Sequence, residues 1–506
     1  MSLRAEPAVA PPARNPVLSI RRSPRTPLVA VIGAFVLAQA GFFAAGVRFD
    51  AAPLDGRFVD DLWQLLPLPL LHHHLVQSLW YLHSQPPLFN LGVGLLVKLP
   101  HGLQVPAEYL VSESMAFLLV TTSYLLAVEL SVPPRVAAVV VIVFVVASPD
   151  YVLFQNWLDY AYPTATLLVL SAWSLIRYVR TRRTLHGVLF FSAASALVLL
   201  NSTYQWVWLA GVSALVLVLL RRRWRQVLAV ASVPLLAVGF WYAKDAAVFG
   251  TATTSSWLGM NLAKAVLFTA PPSLLTRLER QGVLTPLASV APFSPPGLYA
   301  PRFAHLPRTG VPALDLQAKN DGVSNFDNLL YVQVSSLYLH DDLQFIRAEP
   351  GRYAANVGMA IAVWNTPADQ YFPFRGNRLV VSGYTATYDR IALQQPDVDR
   401  ATGLYPLLEH RAPPLHLLSF GLIAELALAL VGVPFLARTR FRHDRAAAAS
   451  LIFLWFTVAY AFVVTSLLEL GENDRFRFEL GPLPLIAAVV VVTTVARRFT
   501  AGRGAG

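Results

Sequence analysis

The chain has no cysteine in 506 residues. Disulfides, thiolate metal sites and cysteine nucleophiles are therefore excluded, and any part outside a membrane is stabilised by packing alone. Charge is also scarce. Only 14% of residues are charged against 55% hydrophobic, whereas soluble chains carry about 25% charged residues. That balance excludes an ordinary soluble protein. Lysine is nearly missing: Lys98, Lys244, Lys264 and Lys319 are the only lysines among forty basic residues. Arginine supplies the rest, and with the heavy use of Ala, Val and Leu this fits a GC-rich bacterial genome. The net charge of +11 does not point to nucleic acid, because the excess arginine lies in short loops between apolar runs, as orientation signals of a membrane protein do.

The apolar runs predict an all-α polytopic membrane protein. Residues 1–27, rich in Pro, Ala and Arg, read as a disordered cytoplasmic amino terminus. No small-residue cleavage site follows, so the run after them is a first span, not a removed signal. Spans are expected at about 28–47, 109–130, 134–148, 162–178, 185–200, 206–220, 226–243, 414–436, 446–468 and 480–496, ten in all. Residues 58–82 and 86–99 are apolar but interrupted or short, and are expected to lie along the membrane surface within a first external loop, 48–108. This choice puts every arginine cluster (Arg135; Arg177 to Arg183; Arg221 to Arg225; Arg438 to Arg445; Arg497 to Arg503) on the cytoplasmic side. Making 86–99 a span would invert all of them. The domain plan is a transmembrane module, 28–243, a mixed extracytoplasmic region, 244–413, with a helix near Tyr353–Trp364, and carboxy-terminal spans with a short tail, 414–506. No repeat of period 20–50 is visible.

Polar chemistry gathers in the external loops. Asp60 and Asp61 follow the first span by about a dozen residues, and carboxylates so close to a span are solvated, paired or used. Transfer of a sugar from a phosphate-linked donor needs one base to take the acceptor's proton, and little acid help because phosphate leaves readily. Either Asp60 or Asp61 fits that role, and either also fits a helix cap. His83-Ser84-Gln85-Pro86-Pro87-Leu88 reads as a turn and a proline-started helix, with His83 and Gln85 able to hydrogen-bond a sugar or phosphate. Asp150 and Asp159 stand among Asn156, Trp157, Tyr160 and Tyr162, which suits a sugar surface or an interfacial aromatic belt. In Glu472-Asn473-Asp474-Arg475-Phe476-Arg477-Phe478-Glu479, Arg475 and Arg477 can hold a lipid phosphate through forked charged hydrogen bonds, or pair locally with the adjacent acids. Lys244 and Lys264 are further phosphate candidates. His72-His73-His74 points three ways around a helix and does not suit one ion. No metal site is assigned and no cofactor is required, although the chemistry leaves room for a divalent metal.

The order of one span, an external acidic pair, a His-x-x-Pro-Pro-Leu turn, an apolar helix and a run of short spans resembles the GT-C superfamily. These are glycosyltransferases that use polyprenyl-phosphate sugars, among them protein O-mannosyltransferases and lipid A aminoarabinose transferases. The resemblance is clearest over 28–220, and GENDRFRFELGPLPL resembles the carboxy-terminal segment of bacterial members. It implies a GT-C-like helix bundle with Asp60 or Asp61 as catalytic base, 58–82 and 86–99 as juxtamembrane helices, and inverting transfer in the cytoplasmic membrane. The active site would face outward, with a polyprenyl-phosphate sugar as donor and a cell-envelope glycan, lipid or protein as acceptor. The chain departs from the pattern in having Asp where the second acid is commonly Glu, and in the two residues between His83 and Pro86. A transporter or flippase of a lipid-linked substrate is the alternative, favoured by Glu113, Glu129 and Glu425 in or near apolar runs.

Overall fold

A computed structural model describes residues 25–49, 62–267, 269–303, 308–320, 322–370, 374–395 and 418–503. Asp60 and Asp61, and the amino-terminal residues 1–24, lie outside the described residues. Among those described there is no β-strand, and an isolated antiparallel bridge joins Ala318 to Ser324. The protein is an all-α polytopic membrane protein. Among the described residues, six helices are long and apolar enough to cross a bilayer, or seven if one bent pair counts as a span.

Helix α1 (Arg25–Ala45) has 21 residues, about 32 Å at 1.5 Å per residue, and matches a hydrocarbon core of about 30 Å. It begins three residues before the expected start. Only Val31 and Phe35 are buried, while Val29, Val36, Leu37 and Phe43 are exposed, as a lipid-facing helix should be. In place of one surface helix over 58–82, the chain forms two short ones, α2 (Leu68–His73) and α3 (Leu75–Trp80). The break falls at His74, whose backbone leaves the helical region. The expected 86–99 segment is α4 (Pro87–Leu96). Prolines supply many helix starts, as at Pro87, Pro134, Pro149, Pro272 and Pro350, where the missing N–H costs nothing. Helix α5 (His101–Glu129) is 29 residues long and starts well before the predicted span.

The next apolar run is broken. Helix α6 (Pro134–Val141) runs into a π-helical turn, Ile142–Val146, and then bends by 57° into α7 (Pro149–Gln155). Pro149 cannot donate the hydrogen bond that would carry the helix on. Within the turn the Ala147 N–H reaches back to Ile142 O. The carbonyls of Val143 and Ala147 instead accept the hydroxyls of Tyr388 (3.0 Å) and Tyr384.

Helices α8 (Ala161–Thr181), α9 (Thr184–Leu200), α10 (Trp206–Leu219) and α11 (Trp224–Phe249) follow in an up-and-down bundle. Helix α8 is its centre: Leu168, Val169, Ala172, Leu175 and Ile176 have no exposed surface. At one end of this bundle the arginine-bearing loops gather. Arg180 pairs with Glu129 and, at 3.1 Å, with Asp444. Arg440 donates to Leu130 O (2.7 Å) and Thr494 Oγ1 (3.2 Å), and Gln226 donates to Arg182 O (3.0 Å). The opposite end collects the carboxylate-bearing loops described below.

Beyond α11 the chain builds a smaller helical layer: α12 (Leu258–Val266), α13 (Pro272–Arg280), α14 (Pro296–Tyr299), α15 (Pro312–Asp315), α16 (Leu330–Ala348), α17 (Pro350–Trp364) and α18 (Arg375–Ile391). Its own core includes Trp257, Met260, Tyr331, Val334, Tyr338 and Phe345. Gly259 permits α12 to touch α16 directly, since a Cβ there would lie 1.9 Å from Ser335 O. The helix expected at Tyr353–Trp364 is α17. The chain ends in α19 (Phe420–Arg440, with a π-helical turn at Leu428–Gly432), α20 (Arg445–Leu468), the short α21 (Asn473–Glu479) and α22 (Leu483–Arg503).

Candidate functional site

Helix α21 sits between the last two long helices, at the carboxylate-bearing end of the bundle. Its seven residues carry Arg475 and Arg477 two positions apart, so the two guanidiniums leave the helix in different directions. Each enters a different network.

Arg477 enters the first. Its Nη2 donates to Asp150 Oδ2 at 3.0 Å, and the Ala368 N–H donates to the same oxygen at 3.3 Å. Asp150 is in the first turn of α7, placed there by the helix start at Pro149. Asp369, next to Ala368, and Asp389 on α18 are both buried beside this pair. Burial, with the charges of Asp369 and Asp150, pushes the Asp389 carboxyl up to about 10. Burial pushes Asp474 up to about 8, against the pull of the Arg475 N–H and Arg477. Asp150 Oδ1, Asp389 Oδ1, Asp474 Oδ2 and Arg477 Nε have no hydrogen-bond partner among the described residues. Aromatic rings wall the network: Phe478 stacks on Phe154 at 3.8 Å, and Phe374 meets Phe154 edge-on at 4.7 Å.

Arg475 enters the second network, and its donors are engaged within the protein. Nε and Nη2 reach Glu472 Oε2 (3.0 and 2.8 Å), Nη1 reaches Glu479 Oε1 (2.5 Å) and Tyr160 OH (3.3 Å). Asn201 donates to the other Glu479 oxygen at 2.7 Å. Burial raises Glu479 to about 7, partly offset by Arg475. Asp159 lies in the field of Arg475 and accepts the N–H of Ala161, the first residue of α8, at 2.6 Å. Burial raises it to about 6. Lys264 pairs with Glu469 at 2.5 Å.

The third network holds the turn between α3 and α4. Asp327 Oδ1 accepts the backbone N–H groups of His83 and Ser84, both at 3.0 Å. His83 Nε2 faces the carbonyl of Asp327 at 3.0 Å, an acceptor only, so Nε2 carries the proton and Nδ1 accepts from Ser256 Oγ at 2.8 Å. Burial lowers His83 to about 3 and raises Asp327 to about 7, so the imidazole is neutral. Lys244 donates to Leu82 O at 2.9 Å and pairs with Asp245. Gln85 is buried in the same turn. Phe89 of α4 meets Tyr160 edge-on at 5.5 Å, which joins this network to the second.

The structure thus joins Asp150 to Arg477 and brings Asp159 to Arg475, while His83, Gln85 and Lys244 converge on a buried turn. Sequence reasoning missed Asp327, Asp369, Asp389 and Asn201, which sit in loops or on α18 with no local pattern to mark them. Glu479 was legible as a local partner of the arginines, and it pairs with Arg475 at i,i+4. No group of three or more His, Asp or Glu among the described residues is arranged to hold a metal ion. The chain has no significant match among protein-family models, curated proteins or solved structures.

Proposed function

We propose that this chain is a GT-C-like inverting glycosyltransferase that moves a sugar from a polyprenyl-phosphate donor to an extracytoplasmic acceptor. The observation that carries this reading is the network around Arg477. Among the described residues, buried carboxyl oxygens of Asp150, Asp389 and Asp474 have no hydrogen-bond partner, and neither does Arg477 Nε. Such groups are costly when left unmet. Sugar hydroxyls would supply the donors and a phosphate oxygen the acceptor. In this mechanism Asp60 or Asp61 takes the proton of the acceptor hydroxyl. The acceptor oxygen bonds to the anomeric carbon as the carbon–oxygen bond to phosphate breaks, and the pair of electrons leaves with the polyprenyl phosphate. Arg477 stabilises the charge that develops there. Arg475, with Asp159, Glu472 and Glu479, holds the wall of the site, and the turn of His83 and Gln85 fixes α4 beside it.

The membrane plan in this proposal has ten crossings in the cytoplasmic membrane. Helices α8, α9 and α10 complete the set, each running between the arginine-bearing and carboxylate-bearing ends. The arginine end is cytoplasmic by the positive-inside rule, so the site faces outward and the 244–413 region selects the acceptor. The test is transfer of labelled sugar from a panel of polyprenyl-phosphate donors by membranes holding the wild type, Asp60→Asn or Asp61→Asn at matched expression. Transfer that collapses in one variant is the expected result. No transfer by folded wild type from any donor would overturn the reading. Transport is the second reading, favoured by Glu108 of α5, which is buried with neither carboxylate oxygen hydrogen-bonded among the described residues. Donor-independent movement of a lipid-linked sugar across vesicles would support it.

A further inference from the structure

The arginine-bearing end of the bundle contains a groove unrelated to the networks above. It lies between the last turns of α19 and the first half of α20 and has a volume of about 400 Å³. Val433, Ala437, Ile452 and Trp455 make an apolar floor, and Arg438 and Arg442 stand at its mouth. Trp455 is held in place because its Nε1 donates to Leu430 O at 3.0 Å, a carbonyl within the π-helical turn of α19.

The charges around the mouth are of one sign. Arg438 and Arg442 are exposed and have no hydrogen-bond or ion partner among the described residues. The nearest arginine on the same helix, Arg440, is turned inward onto Leu130 O and Thr494. Arg445 lies 6.0 Å from the Phe441 ring centroid. The adjacent carboxylate, Asp444, is engaged elsewhere: it caps α20 through the Ala447 N–H at 3.0 Å and pairs with Arg180. Among the described residues no carboxylate lines the groove. The floor continues into the exposed apolar surface of the bundle, where Phe435 and Phe441 are exposed.

We propose that this groove binds a phospholipid with an anionic headgroup. The acyl chain lies on the floor of Val433, Ala437, Ile452 and Trp455, and the phosphate sits between Arg438 and Arg442. A slot of this kind between membrane helices, apolar below and arginine-rimmed at the level of the headgroups, has the two chemistries of such a lipid in the right order. Neither part suffices alone, since the apolar floor takes any lipid and the arginines take any phosphate. The site does not depend on the transferase reading.

Two surface arginines contribute a preference of roughly thirtyfold for an anionic over a neutral lipid. The full-length protein, purified in a neutral detergent and stripped of lipid, is titrated with phosphatidylglycerol and with phosphatidylcholine of the same chains, and bound lipid is counted by native mass spectrometry. The expected result is phosphatidylglycerol retained with about that preference. Arg438→Gln with Arg442→Gln removes the preference, Arg438→Lys with Arg442→Lys keeps most of it, and Trp455→Ala weakens both lipids alike. Equal binding of the two lipids by the wild type, or an unchanged preference in the glutamine variant, overturns the proposal. So does displacement of the bound phosphatidylglycerol by inorganic phosphate at equal concentration, because the groove floor would then contribute nothing. An unchanged melting temperature in the glutamine variant separates loss of the site from loss of fold.

Discussion

His83 and Asp327 are buried against one another, and their protons respond to pH in opposite directions. His83 is lowered from 6.5 to about 3 and Asp327 raised from 3.8 to about 7. Between about pH 4 and about pH 6.5 the unfolded chain therefore carries a proton on His83 that the folded chain lacks. Over the same window the folded chain carries one on Asp327 that the unfolded chain lacks. The first makes stability rise with pH and the second makes it fall, each by about 1.4 kcal/mol per pH unit. In the wild type the two slopes cancel. Asp327→Asn keeps an oxygen for the His83 and Ser84 amides and removes only the titration. Its stability relative to the wild type should then rise by about 1.4 kcal/mol per pH unit across that window. His83→Gln should show a relative fall of the same size. Denaturant unfolding in detergent micelles, followed by tryptophan fluorescence at about pH 4.5 and about pH 6, reads both differences. Other titrating groups are common to all three proteins and drop out. Equal pH slopes in Asp327→Asn and the wild type would refute the protonation states assigned to this turn.

Arg477→Ala leaves Asp150 and its neighbours buried without their cation, and should destabilise by about 3–5 kcal/mol. Asp150→Asn combined with Arg477→Gln should cost clearly less than the two single changes added together, and simple additivity in that double-mutant cycle would mean the pair is not coupled. Gly259→Ala places a methyl 1.9 Å from Ser335 O, a backbone atom that cannot turn aside. A loss of about 3 kcal/mol or more is expected in thermal unfolding. Gly358→Ala, on α17 with nothing within 4 Å of the added methyl, should be neutral or slightly stabilising. Similar melting temperatures for the two would rule out the close approach of α12 to α16.

The membrane character was legible because it rests on length and composition. A run such as 28–45 has no other stable place, and its limits follow from the thickness of a bilayer. The Pro-started helix α4 and the start of α6 at Pro134 were legible for an equally local reason, whereas α7 falls in a stretch that reads as a loop. What was not legible is which charge meets which. The loop Asn325-Phe326-Asp327-Asn328 has no period, and nothing local says that Asp327 receives the amides of a turn 244 residues earlier. Asp389 is one more polar residue in a mixed stretch until α18 is laid beside α7. Arg475 and Arg477 look equivalent in sequence, yet the helix between them turns one toward Glu479 and Tyr160 and the other toward Asp150. Among the described residues the Nε of Arg477 has no hydrogen-bond acceptor, a feature set by tertiary packing. The single helix expected over 58–82 failed for a smaller reason, since the chain changes direction at His74 within an otherwise apolar stretch.

The broken helix of α6 and α7 has a consequence in time. The carbonyls of Ala147 and Val143 are met by tyrosine hydroxyls that lie 237 and 245 residues further along the chain. Ribosomes add roughly 5–20 residues per second, so the bend is synthesised roughly ten to fifty seconds before its partners exist. During that interval the segment must stay in water, borrow other donors, or remain straight. The 57° bend that begins before Pro149 gains these two hydrogen bonds only when the second half of the chain arrives.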